Sequence, residues 1–155
     1  MRLKSNGMSP KSRKRGERGA ALVEFSIAAL VFLTSVFAVL EFGRLLWVHN
    51  ALTDAARRGA RYAVNHTQAD ADNAKRMAVY GTLADGATPM VSGLTTDQVK
   101  VTYNNFNVGE GTVTVKIDSY DFNFVVPLVG TKVRMPDYTS TLTAENAGTE
   151  PAALP

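Results

Sequence analysis

From Ala20 to Leu40 the chain reads AALVEFSIAALVFLTSVFAVL, an apolar segment interrupted by a single charge, Glu24. At about 1.5 Å of rise per residue this segment spans roughly 30 Å as a helix, the thickness of a bilayer's hydrocarbon core. Beyond Leu40 the apolar run gives way to an amphipathic period, and no proline occurs between Glu41 and Val64. Asn50, Asp54, Arg57, Arg58, Arg61 and Asn65 fall within a helical-wheel arc of about 100°, with Val48, Leu52, Ala56 and Tyr62 around the other side. Asp54 stands four residues before Arg58, the favourable order for a helical ion pair. Ala51, Ala55, Gly59 and Ala63 recur at every fourth position as a ridge of small side chains. Such a ridge lets another backbone come close, either that of the helix's own domain or that of a neighbouring subunit. The pattern predicts one helix from Ala20 to about Val64.

The helical period breaks around Asn65 to Gln68 and resumes over Ala69 to Tyr80, with acids early, bases later and Gly81 placed to end it. Thr82 to Gly93 is rich in turn formers and reads as a loop. The period then changes to two. Val99, Val101 and Tyr103 alternate with polar residues, as do Val113, Val115 and Ile117, and the turn-rich NVGEG between them predicts a hairpin. Tyr120 to Val126 and Tyr138 to Ala144 are further strand candidates, separated by Pro127, Gly130 and Pro136. The expected fold is α+β: a long N-terminal helix that crosses a membrane and extends beyond it, a second short helix, and a small antiparallel sheet. The expected division is a basic leader over 1–19, a span over 20–40, an extracytoplasmic domain over 41–144 and a disordered tail over 145–155.

Charge orients this plan. The chain has 155 residues and a net charge of +3, yet residues 1–19 hold seven Lys and Arg against Glu17 alone. The positive-inside rule therefore places the N-terminus in the cytoplasm and exports the remainder. The basic residues are confined to one tail without interleaved aromatics, a pattern that argues against nucleic-acid binding. Cleavage by the ordinary signal peptidase needs small residues just past the apolar run, and VLEFGRLLWV offers no small-x-small site there. With no cysteine in the chain, disulfides, thiolate metal sites and cysteine nucleophiles are excluded. His49 and His66 are the only histidines and lack a spaced carboxylate cluster, so neither a catalytic constellation nor a metal or cofactor site is expected.

Glu24 is the residue that asks for a mechanism. A carboxylate in an apolar span is costly and ordinarily has a partner or a function, the bland alternative being an acid at the membrane edge that reaches back to water. If the chain were cut between Gly19 and Ala20, Glu24 would become the fifth residue, about 7 Å into the membrane. The new α-amine, charged at neutral pH, would supply a counter-charge on a neighbouring subunit.

A basic leader, a glycine, four mostly apolar residues, Glu-Phe and an apolar helix together resemble the leader of type IV prepilins and pseudopilins. The likeness goes further. RGAALVEF (Arg18 to Phe25), EFGR (Glu41 to Arg44) and NALTDAARRGARYA (Asn50 to Ala63) resemble the characteristic blocks of TadE-like proteins, pseudopilins of the tight-adherence (Tad, Flp pilus) system, over residues 15–64. The resemblance implies a pilin-like fold and processing by a prepilin peptidase at Gly19, Ala20, Glu24 and Phe25. It further implies assembly or helix contacts through Glu24, Glu41, Gly43, Arg44, Ala51, Ala55, Gly59 and Ala63. The implied partners are the membrane, other pilins or pseudopilins and Tad assembly proteins, at a bacterial inner membrane with the C-terminal domain in the periplasm. Family members often carry a proline in the span where this chain has Leu30, so a kinked span does not carry over. Two rival functions stand beside this one: a binding module on an uncleaved signal anchor, and a membrane-tethered hydrolase, which needs a polar constellation the exported part does not display.

Overall fold

The computed structural model describes residues 14–105, 111–126 and 131–144. Most of the expected leader, nearly all of the NVGEG turn, Pro127, Gly130 and the expected disordered tail lie outside these. Helix α1 is Lys14–Val64, and it is followed by a 3-10 turn at Gln68–Asp70 and helix α2 at Ala71–Tyr80. The strands are β1 (Val99–Asn104), β2 (Gly111–Ile117), β3 (Asp121–Asn123), β4 (Lys132–Arg134) and β5 (Tyr138–Ala144). The chain divides into two compact units, Met1–Leu40 and Glu41–Pro155. The α+β fold with one long apolar N-terminal helix and a small antiparallel sheet is therefore present.

In the first unit, residues 19–40 belong to α1 and their large apolar side chains are exposed all round.

The second unit is built around a three-stranded antiparallel sheet in the order β1-β2-β5. Alternation sets its faces. Val113, Val115 and Ile117 of β2 are buried and pair with Tyr103, Val101 and Val99 of β1 on one side and with Leu142, Ser140 and Tyr138 of β5 on the other. The opposite face carries threonines and lysines, among them Thr114 and Thr141, whose hydroxyls meet at 2.9 Å. Against the apolar face lies the part of α1 from Val48 onward, with α2 beside it.

Small residues make this packing possible. Ala55, Ala56, Ala60 and Ala63 of α1 are fully buried, as are Ala74 and Ala78 of α2. A Cβ added at Gly59 would lie 3.0 Å from Ala78 Cβ, 3.2 Å from Val115 Cγ1 and 3.3 Å from the Ala74 carbonyl. The ridge of small residues is thus filled by the helix's own domain. The polar arc of the wheel faces outward, and Arg58 binds both Asp54 Oδ2, at 2.5 Å, and the Ala78 carbonyl in the last turn of α2, at 3.2 Å. Helix α2 ends where its sequence predicts. Gly81 adopts φ +69°, its N–H reaches the Met77 carbonyl, and a Cβ there would stand 2.7 Å from Met90 Sδ.

Two strand expectations need correction. The candidate strand from Tyr120 to Val126 is ordered as strand only over Asp121–Asn123, because the N–H groups of Val125 and Val126 turn to a carboxylate instead of a strand partner. Its partner β4 was not expected, since three residues with exposed side chains between turn formers carry no period. These two strands form a separate pair, in which Asp121 binds Arg134 Nε at 2.7 Å. The hydrogen bond from Arg134 holds the Asp121 carboxyl below the usual carboxylate range. That contribution is present above the unfolded pKa and is lost as pH falls through the lower folded value.

Gly59→Ala sets a gain in helix propensity of about 1 kcal/mol against an overpacking cost of about 1–3 kcal/mol. With Ala78 and backbone as the near neighbours, overpacking is expected to win, lowering the thermal midpoint of the detergent-solubilised protein; Gly59→Leu is expected to abolish cooperative unfolding, both read by near-UV circular dichroism.

Candidate functional site

The first unit brings Gly19, Ala20, Glu24 and Phe25 onto one continuous helix, all four exposed. Three other polar side chains in the apolar segment are satisfied locally. The hydroxyls of Ser26, Thr34 and Ser35 donate to the carbonyls of Leu22, Leu30 and Val31 at 2.7, 2.8 and 2.8 Å, so each is paired without leaving the helix. Glu24 has no such solution, and among the described residues no hydrogen-bond or ion-pair partner reaches it. Its charge does not forbid insertion. At about 0.3–0.6 kcal/mol for each Leu, Ile, Phe or Val, the apolar side chains of the segment together favour the membrane by on the order of 5 kcal/mol. One acid costs about 2.5–3.5 kcal/mol at mid-membrane and less near its edge. The segment therefore tolerates Glu24 while leaving it in need of a partner.

In the second unit the family-block residues separate into different roles. Glu41 is 3 % exposed, the one buried charged side chain among the described residues. Its Oε2 receives Arg44 Nη1 at 2.5 Å, one helical turn on. Its Oε1 accepts the backbone N–H groups of Val125 and Val126 at 2.9 and 3.1 Å. Arg44 completes the clamp, since Nη2 donates to the Asn123 carbonyl at 3.4 Å and the guanidinium lies 5.0 Å from the centre of the Phe122 ring. Glu41 thus ties the segment after β3 to α1. Sequence reasoning grouped Glu41 and Arg44 as assembly contacts and missed this internal bond. The Glu-x-x-Arg spacing was visible, but the amides that complete the site lie 84 and 85 residues away. Gly43 faces open space, Ala51 is half-buried, and Ala55, Gly59 and Ala63 are spent on the domain core.

Elsewhere in the second unit several cations are paired with carboxylates. An open groove of about 730 Å³ between α2 and β1 is edged by Lys75, Arg76 and Lys100. Each of these cations already holds a carboxylate, respectively Asp72, Asp85 and Asp118. His49 Nδ1 meets the Tyr138 hydroxyl at 2.8 Å. Burial raises the Tyr138 pKa, so the hydroxyl keeps its proton, and the imidazole tautomer sets which of the two groups donates. No group of three or more His, Cys, Asp or Glu side chains able to hold a metal ion occurs among the described residues.

The molecule is thus an α+β protein that has, among the described residues, one N-terminal helix long and apolar enough to cross a membrane. Within that class, residues 19–61 match the family model described as TadE-like protein, a stretch that runs from Gly19 through Glu24 and the Glu41–Arg44 pair to Gly59. No curated protein and no solved structure gives a match.

Removing the Glu41 carboxylate deprives two amides and a guanidinium of one charged acceptor, a loss of about 2–3 kcal/mol, softened because Arg44 can rehydrate. Glu41→Ala is expected to expose the Val125 and Val126 amides to fast hydrogen exchange, and Glu41→Gln, which keeps one carbonyl oxygen, to retain part of their protection.

Proposed function

We propose that the chain is a pseudopilin-like structural subunit of Tad (tight adherence, Flp) pilus biogenesis. In this reading the basic leader stays in the cytoplasm of a bacterial cell, the apolar segment crosses the inner membrane once, and the second unit stands in the periplasm. A prepilin peptidase cuts between Gly19 and Ala20. The observation that carries the proposal is Glu24: an unpartnered carboxylate five residues beyond Gly19 in an apolar helix, inside the TadE-like match.

The chemistry follows from what Glu24 lacks. Cleavage creates an ammonium at Ala20, on a turn neighbouring Glu24 but offset along the helix. A second subunit displaced along the membrane normal by about 7 Å brings its own amine level with that carboxylate. At 4 Å and an effective dielectric near 20, the attraction is about 4 kcal/mol before desolvation, comparable to the cost of carrying the acid into the membrane. An acid that weakens insertion alone thereby becomes a register mark between subunits. Scission also needs the helix to open at the cut, and glycine, costing about 1 kcal/mol relative to alanine in a helix, favours opening there.

Mass spectrometry of the membrane-extracted protein is expected to find Ala20 as the first residue in cells that hold the peptidase, and the intact leader in cells that lack it. An intact leader in both would favour a signal-anchored binding module of the envelope. Glu24→Ala is expected to insert at least as well as the parent while reducing pilus production severalfold, and normal piliation would remove Glu24 from the mechanism.

A further inference from the structure

In the second unit the outward face of α1 changes chemistry along its length. Glu41, Val48 and Leu52 turn into the domain, whereas Phe42, Leu46 and Trp47 turn out, 60 %, 45 % and 61 % exposed. Within one further turn the outward positions become polar: Asn50, Asp54, Arg57 and Arg61. Val125, from a distant part of the chain, adds an exposed apolar side chain at a similar level on the domain side of the helix. Its N–H is held by Glu41 Oε1, which fixes its backbone beside helix position 41, and its side chain is 72 % exposed.

The place of these residues along the helix identifies what covers them. Phe42, Leu46 and Trp47 follow the end of the apolar segment at Leu40 by about 3, 9 and 10 Å at the helical rise. A hydrocarbon layer of about 30 Å counted from Ala20 ends near Leu40, and one counted from Phe25, the first residue past Glu24, ends near Arg44. Counted from Phe25, Leu46 and Trp47 stand about 3 and 4 Å beyond the hydrocarbon boundary, within the polar layer that adds about 5–7 Å per leaflet; counted from Ala20, Phe42 lies in that layer and Leu46 and Trp47 just past its outer edge. That layer favours tryptophan, whose ring is apolar and whose indole N–H still needs a polar partner. Contact with a second helix would call for an apolar stripe continuing over several turns. This one stops where the headgroups stop and is succeeded by Asp54, Arg57 and Arg61.

We infer that Phe42, Leu46, Trp47 and Val125 form a membrane-resting face that seats the base of the exported domain in the lipid headgroup layer. Trp47 is its interfacial anchor, and Glu41 is a positioning residue that brings Val125 to the same level. The inference rests on the membrane-spanning part of the proposed function and is independent of leader cleavage.

Two features of the composition make it testable in the full chain: Trp47 is the only tryptophan, and there is no cysteine. The protein is reconstituted at low density into vesicles of phosphatidylcholine and phosphatidylglycerol. Trp47 emission is expected to be blue-shifted, shielded from aqueous acrylamide, and reduced by about half when the lipids are brominated near the headgroup, with weaker quenching by bromine near the chain ends. A nitrobenzoxadiazole label on Val125→Cys is expected to report an apolar environment that turns water-like when Glu41→Ala is added, with Trp47 emission unchanged. Water-like, acrylamide-quenched Trp47 in protein that still floats with the vesicles would overturn the resting face and leave the span intact. Blue emission untouched by brominated lipid and dependent on protein density would assign the face to a second copy of the chain, and so overturn the lipid assignment. Protein that fails to float with the vesicles would overturn both the face and the span.

Discussion

The second unit depends on how closely α1 can approach α2 and β2, and Gly59 sets that distance. No Cβ fits there without displacing Ala78, Val115 or the Ala74 backbone. Around it Ala55, Ala56, Ala60 and Ala63 keep the approach close along α1, and Ala74 and Ala78 do the same from α2. Alanine suits the position physically, since it loses no side-chain entropy on burial and favours the helix at every site. With the helices this near, the row Val113, Val115 and Ile117 on β2 is sealed from water, although the three-stranded sheet is small.

The same helix meets two environments, and its polar groups are handled differently in each. In the apolar segment the hydroxyls of Ser26, Thr34 and Ser35 return to carbonyls one turn back, a solution available to any lone helix. That solution is closed to an ionised Glu24, which has no hydrogen to give a carbonyl, and among the described residues nothing pairs with it. Glu41, at the start of the second unit, is instead buried and fully engaged by Arg44 and two amides. Two glutamates on one helix thus stand in opposite settings: one organises its own domain, and the other has no partner among the described residues.

That contrast supports a structural role in an assembly. Cations in the second unit are paired with carboxylates or exposed on the outer arc of α1, and no cluster among the described residues converges on a reacting group. Among the described residues the exposed apolar side chains and the unpaired Glu24 carboxylate lie along the apolar helix and just beyond it.

Local chemistry made much of this legible in advance. An apolar run of membrane length, a helical period that persists to Val64, Gly81 at the end of α2, and the alternation in β1, β2 and β5 are each written within one continuous stretch of neighbouring residues. The spacing of Gly19, Glu24 and Phe25 is likewise a local pattern, and it falls inside the stretch that matches the TadE-like model. Only the tertiary structure decided the rest. The ridge from Ala51 to Ala63 could have met its own domain or another subunit, and the choice was made by Ala74, Ala78 and Val115, which a wheel of α1 does not contain. β3 stops at Asn123, and β4 exists as a strand, for reasons that lie in pairing and not in period. Glu41 became the centre of a clamp because a carboxylate takes whichever donors the fold delivers, and here the fold delivers amides from 84 and 85 residues along the chain. Periodicity records which way a side chain faces; which partner it meets depends on elements distant in sequence, and that information exists only once the chain has folded.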